Sequence, residues 1–262
     1  MVDFVGSGTD RFFLILAVIF VRYVVLAAIA FVLYYVLFRS SWSFRKIQLK
    51  FPAATDYRRE FLYSVSTSII FATLGYLFFF GPLAKFTMVY RDIQAYGVGY
   101  LLGSVVLTLL VHDTYFYWVH RWMHRPGIYR YFHKVHHLST NPSPWAAMAF
   151  HPLEAVMEFG ILAIVPFLYP IHPLAIGLFL LTMMLYNVYG HLGYELYPKG
   201  FATSRIGKWI NTSVNHNQHH QYFTGNYGLY FLWWDRWMGT LREDYPQEFN
   251  AVQSRTKSQA SA

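Results

Sequence analysis

The chain has 262 residues, of which 55% are hydrophobic and only 13% charged. Soluble domains carry about 25% charged residues, so the composition points to a membrane protein. There is no cysteine, which excludes disulfides, thiolate zinc sites, iron–sulfur clusters and a cysteine nucleophile.

The formal net charge is +8 with histidines neutral. The basic residues lie between apolar runs rather than on one stripe. That fits positive-inside loops and argues against nucleic-acid binding. The first apolar run, from about Phe12 to Phe38, is long enough to span a bilayer, and no small-residue cleavage site follows it. Arg22 interrupts it, either facing neighbouring helices or acting as a functional intramembrane charge. A second span is expected from Phe61 to Phe80 and a third from Val98 to Val119. Residues 155–190 form another apolar stretch, broken at Pro166, Pro170 and Pro173. Proline does not continue a helix cleanly, so this stretch reads as a helical hairpin that enters and leaves by one face.

Lysine and arginine number six in 39–60, two in 82–96, four in 121–150 and seven in 191–262. The three rich segments are expected on the cytoplasmic side, with the N-terminus opposite. The expected architecture is an all-α membrane bundle of about four spans, including the same-side hairpin, with a histidine-rich cytoplasmic cap. Residues 1–104 would hold the N-terminal spans and basic loop, and 105–243 the histidine-bearing region. The polar tail 244–262 is expected to be disordered.

Eight of the twelve histidines fall in three boxes: His120 and His124; His133, His136 and His137; His216, His219 and His220. Helical positions i, i+3 and i+4 share a face, so each box is expected to aim its rings at one point. Neutral imidazole is a good ligand for iron, zinc and copper. One zinc is satisfied by about four ligands, so eight histidines imply two ions. Iron is favoured because the surroundings are lipidic, and oxidation of a lipid C–H bond there would need redox chemistry that zinc lacks. His191 emerges from the hairpin as a further candidate ligand. Glu195, four residues on, could be a ligand, a hydrogen-bond acceptor for one, or a surface cap. His112 lies two turns before His120, and Asp113 could orient a ligand ring. His151 is either a supporting residue or a helix start, and His172 a turn residue.

These boxes resemble the fatty acid hydroxylase and sterol desaturase superfamily of integral-membrane, non-haem di-iron enzymes. The matching text runs from Asp113 to His124 (DTYFYWVHRWMH), then His133–His137 (HKVHH) and His151-Pro152-Leu153-Glu154. It continues with His191-Leu192-Gly193-Tyr194-Glu195, His216–His220 (HNQHH), Asn226-Tyr227-Gly228, and Trp234-Asp235-Arg236 to Gly239-Thr240. The text after the third box looks closest to the sterol C5-desaturase branch. The resemblance implies that His120, His124, His133, His136, His137, His191, His216, His219 and His220 bind two iron ions. Asp235 is a candidate supporting residue. Some hydroxylase members carry a histidine where this chain has Glu195.

The resemblance also implies hydroxylation or desaturation of a sterol or fatty acyl lipid with O2 as co-substrate. The chain shows no cytochrome b5-like region and no GxGxxG fingerprint, so electrons are expected from a separate cytochrome b5- or ferredoxin-type protein docked on basic loops. The membrane would be a bacterial inner membrane or the endoplasmic reticulum. A zinc-dependent membrane hydrolase is the rival enzyme, but no GxSxG or HExxH motif supports it. A haem cytochrome or a metal-binding or transport protein is the rival from another class.

Overall fold

The computed structural model describes residues 7–256 and residue 259. The described residues are helical apart from connectors and three isolated β-bridges. Helix α1 (Gly8–Phe31) starts at a capping box, in which Asp10 N–H donates to Ser7 Oγ and Ser7 N–H to Asp10 Oδ2. It continues as a π-helical segment to Leu37. Helix α2 (Ala54–Phe79) begins two turns earlier than the apolar run suggests, because Asp56 accepts the Ala53 N–H at 3.0 Å. Helix α3 (Gly97–Met123) runs one turn past the expected Val119, which puts His120 on the helix and His124 at its end. A short helix α4 (Tyr129–Phe132) follows.

The proline-broken stretch is the expected hairpin, with arms α5 (Pro152–Leu168) and α6 (Pro173–Gly190). Each arm opens on a His-Pro pair. Pro tolerates the first helical position because its missing N–H has no partner there anyway. His151 and His172 cap the arms, each accepting an N–H two residues on. The hairpin tip is pinned to the 87–91 connector. Met88 N–H donates to the Pro166 carbonyl at 2.7 Å, and His172 Nε2 to the Arg91 carbonyl at 3.1 Å. Four helical segments are long and apolar enough to cross a membrane: Gly8–Leu37, Ala54–Phe79, Gly97–Met123 and Pro173–Gly190.

The opposite end of the bundle carries all three basic segments and is roofed by polar structure. Gln48 Nε2 donates to Asn217 Oδ1 at 2.8 Å, and Lys46 bridges to Tyr194. Residues 144–148 dip between α1, α2 and α6. There Tyr23 and Ser64 donate to the Trp145 carbonyl, and Asn187 Nδ2 to that of Ala147. Helices α7 (Ser213–Tyr222) and α8 (Trp233–Trp237) complete the roof.

The tail departs from expectation. Residues Tyr245–Ser254 form helix α9, with Tyr245, Phe249 and Val252 buried against Ile47, Val214 and Leu232. Those three apolar positions recur at i, i+4 and i+7, a single helical stripe in an otherwise polar segment. Of the residues after it, 257, 258 and 260–262 lie outside those described.

Candidate metal centre

Nine histidines converge at the roofed end in two groups. The first holds His120, His124, His133, His137 and His219; the second holds His136, His191, His216 and His220. Within each group the candidate donor nitrogens lie within 4.8 Å of one another. All nine sequence candidates are brought together, His191 included.

The boxes do not map one to one onto the groups. Box two is not α-helical. After α4 the chain turns, and His136–Leu138 form a single 3₁₀ stretch. Box three is helical on α7, but His219 and His220 are adjacent and so point about 100° apart. His219 therefore joins the first group while His216 and His220, four residues apart, join the second. The expectation that each box aims at one point fails for boxes two and three. The second and third boxes straddle both groups and so tie them together.

The hydrogen-bond chemistry of the rings is specific. His120 Nδ1 lies 2.9 Å from the Tyr227 carbonyl, His191 Nδ1 2.7 Å from that of Asn187, His219 Nδ1 2.8 Å from that of Gly225, and His220 Nδ1 3.0 Å from that of Ser139. His133 Nδ1 lies 2.5 Å from Glu154 Oε1. Carbonyls only accept, so in those four rings Nδ1 carries the proton and Nε2 presents a bare lone pair. Glu154 imposes the same tautomer on His133.

Yet the Nε2 atoms face each other closely. His120 and His133 are 2.9 Å apart, His137 and His219 3.0 Å, and His191 lies 3.1 Å from both His216 and His220. In His120–His133 and His191–His220, where both rings carry the proton on Nδ1, converging lone pairs with no proton between them repel. A shared cation resolves the conflict, since two nitrogens each about 2.1 Å from one ion sit about 3 Å apart at right angles. The donor set thus fits a metal ion in each group, and all-nitrogen ligation suits iron as well as zinc.

Electrostatics agree. Burial, reinforced by the neighbouring imidazoles, pushes His133, His136, His137, His216, His219 and His220 well below the ordinary histidine value. Burial takes His124 down to about 2 and His191 to about 4. Metal binding requires neutral imidazole, so these rings are in the ligating form at neutral pH.

The remaining candidates stand behind the ligand set or outside it. Glu195 is not among the converging donors. Its carboxylate accepts Val214 N–H, Tyr197 N–H and the Tyr189 hydroxyl, which holds the start of α7. Burial raises its pKa. Asp113 was expected to orient a ligand ring; instead it accepts Tyr230 and Phe231 N–H at 2.8 and 3.2 Å. A carboxylate there satisfies backbone donors that the 229–232 turn leaves over. His112 Nδ1 meets the Tyr230 hydroxyl at 2.9 Å and joins neither group. Asp235 accepts Tyr227 and Gly228 N–H and the Thr240 hydroxyl. It thereby fixes the carbonyl on which His120 rests. His151 is the helix start already described.

Sequence reasoning did not single out Glu154 as the partner of His133. It lies 21 residues away along the chain. Its available signals were its place in the matching text His151-Pro152-Leu153-Glu154 and its position as a carboxylate in the first turn of an apolar helix, where an unpaired charge would be costly.

Residues 105–240 match the family model described as fatty acid hydroxylase. Among curated relatives, a Delta(7)-sterol 5(6)-desaturase of Gibberella zeae is 32% identical over 170 residues, covering 65% of this chain and 51% of the relative. A Delta(7)-sterol 5(6)-desaturase of Aspergillus fumigatus is 32% identical over 209 residues, covering 72% and 64%. Human lathosterol oxidase is 30% identical over 188 residues, covering 71% and 61%. The chain therefore spans between half and two thirds of the length of these relatives. No solved structure matches it.

Proposed function

Because the chain belongs to the fatty acid hydroxylase family, in its sterol C5-desaturase-like branch, we propose that it holds an iron ion in each histidine group and uses O2 to hydroxylate or desaturate a sterol or fatty acyl lipid. The observation that carries the proposal is an opposed, unprotonated Nε2 pair in each of two separate groups, His120–His133 and His191–His220. Iron would supply the O2-dependent redox chemistry that an unactivated C–H bond requires.

The protein's part is to hold and to exclude. Five Nδ1 acceptors lock ring orientation, which keeps each Nε2 aimed inward. Glu154 makes His133 a more basic donor. The apolar helices below the groups give a lipid a water-free approach and hold one of its carbons near the metals. Phe150, 5.3 Å from the His136 ring, forms part of that floor. We place the groups on the cytoplasmic side, where a separate electron donor of cytochrome b5 or ferredoxin type would dock. Lys199 and Arg205, both exposed, and half-buried Lys208 offer it a basic face.

Elemental analysis of detergent-purified protein, prepared without chelators from iron-fed cells, tests the reading. About two irons per chain are expected, one for each group. His219→Ala and His136→Ala, which strike different groups, are each expected to lower that figure. Chelator-free protein from iron-fed cells that holds no metal would sink the reading.

A further inference from the structure

One acidic side chain within the hairpin has no part in the site described above. Glu158 lies on α5, one turn beyond Glu154 and so about 6 Å deeper along the helix. No hydrogen bond or ion pair among the described residues reaches its carboxyl group. It is the only charged-type residue lining a cavity of about 20 Å³, whose walls include Met148, Phe150, Met183, Met184 and Asn187. The cavity abuts the second histidine group at two points. Phe150 packs on His136, and the Asn187 carbonyl holds His191 Nδ1.

We propose that Glu158 is a substrate-positioning residue whose carboxyl group hydrogen-bonds a hydroxyl of the lipid and so sets which carbon faces the metals. The proposal rests on the lipid-oxidising reading above. Glu158 is half-buried; a carboxyl group without a protein partner among apolar helices is costly, and such groups mark ligand pathways. Protonated or ionised, a carboxyl group can pair with a hydroxyl, which both donates and accepts. A space of about 20 Å³ admits one polar group of about the size of a water molecule, hence a hydroxyl rather than a hydrocarbon ring. The hydrocarbon must part the walls, and three of them are methionines, which repack readily. Glu158 sits one turn from Glu154, the partner of His133, so the proposal places the hydroxyl only a few bonds from the oxidised carbon. A lipid with its polar group far from that carbon does not satisfy both ends.

The test uses purified, iron-loaded full-length protein with two probes, a hydroxysterol and the same ring system lacking the hydroxyl. Binding is followed by intrinsic fluorescence. The wild type should bind the hydroxysterol about tenfold tighter. Glu158→Leu should erase that preference while leaving affinity for the parent hydrocarbon and iron content unchanged. Leucine suits an apolar helix, so the variant should fold, and Glu158→Gln, which still donates and accepts, should retain most of the preference. A wild type with no preference, a preference that survives in Glu158→Leu, or iron lost from that variant would each overturn the role. The two readings fail separately. Discrimination that depends on Glu158 without oxidation of any lipid removes only the oxidase reading. Oxidation that is indifferent to Glu158 removes only the positioning role.

Discussion

At the scale of single residues, the centre depends as much on what holds each imidazole as on the imidazole itself. Glu154 is the one side-chain holder, at 2.5 Å from His133. Removing such a partner typically costs 10–100-fold in metal affinity. Glu154→Ala should therefore release iron from the first group during a chelator titration while the second group, which lacks His133, keeps its iron. Simultaneous loss from both groups would contradict that separation. The histidines themselves were all legible in the sequence, because burying so many polar rings at ligand spacing in an apolar chain is costly unless a metal pairs them. Their holders were not. Four are backbone carbonyls, which carry no side-chain signature, and the roles of Glu154, Asp113 and Asp235 depend on contacts far apart in sequence.

The same rings set a pH dependence. Eight of the nine histidines lie outside the membrane-crossing helices, and burial depresses the pKa of each. Below about pH 6.5 the unfolded chain binds protons on these groups and the folded chain does not. Each histidine then removes up to about 1.4 kcal/mol of stability per pH unit. Glu195 and Asp235, whose pKa burial raises, oppose the trend but are outnumbered. Metal-free protein should thus melt at progressively lower temperature as pH falls from 7.5 to 5.5. A flat melting profile over that range would mean the rings are not buried as neutral imidazoles.

At the scale of elements, α7 unites the centre. Every residue from Ser213 to His220 is buried, yet only Val214 is apolar. Much of that polarity is paired, while the Asn215 side-chain amide and Asn217 Nδ2 meet no partner among the described residues. Gln218 donates to Glu248 on α9 at 2.6 Å, Asn217 accepts from Gln48, and the histidines face the groups. Glu195 seats the start of α7, where N–H groups have no helical partner. Losing such a cap costs about 1 kcal/mol, and here α7 supplies ligands to both groups. Glu195→Ala should therefore weaken both irons together, unlike Glu154→Ala, and chelator titration of the two variants side by side would show the contrast. Element types were readable where apolar runs were long. They were misread where burial depends on partners elsewhere, as in the α9 stripe and the non-helical second box.

At the scale of the whole molecule, the charge pattern and the packing bear on one question, which membrane face carries the centre. The structure gathers segments 39–60, 121–150 and 191–262 at one end through Gln48–Asn217 and the Lys46–Tyr194 bridge. The lightly basic 87–91 connector is pinned to the hairpin tip at the other end. Seventeen of the lysines and arginines lie in the first three segments and two in 82–96, and on the positive-inside bias we propose that the histidine end faces the cytoplasm. The absence of native cysteine makes this directly measurable, because a single introduced thiol is the only one present. Lys199 and Lys85 are both exposed, so neither substitution disturbs a buried contact. In intact spheroplasts a membrane-impermeant maleimide should label Lys85→Cys at once and Lys199→Cys only after permeabilisation. The reverse pattern would put the centre on the outer face, away from cytoplasmic electron donors, and would require a different source of reducing equivalents. Labelling of both sites from one side would break the up-and-down threading of the bundle itself.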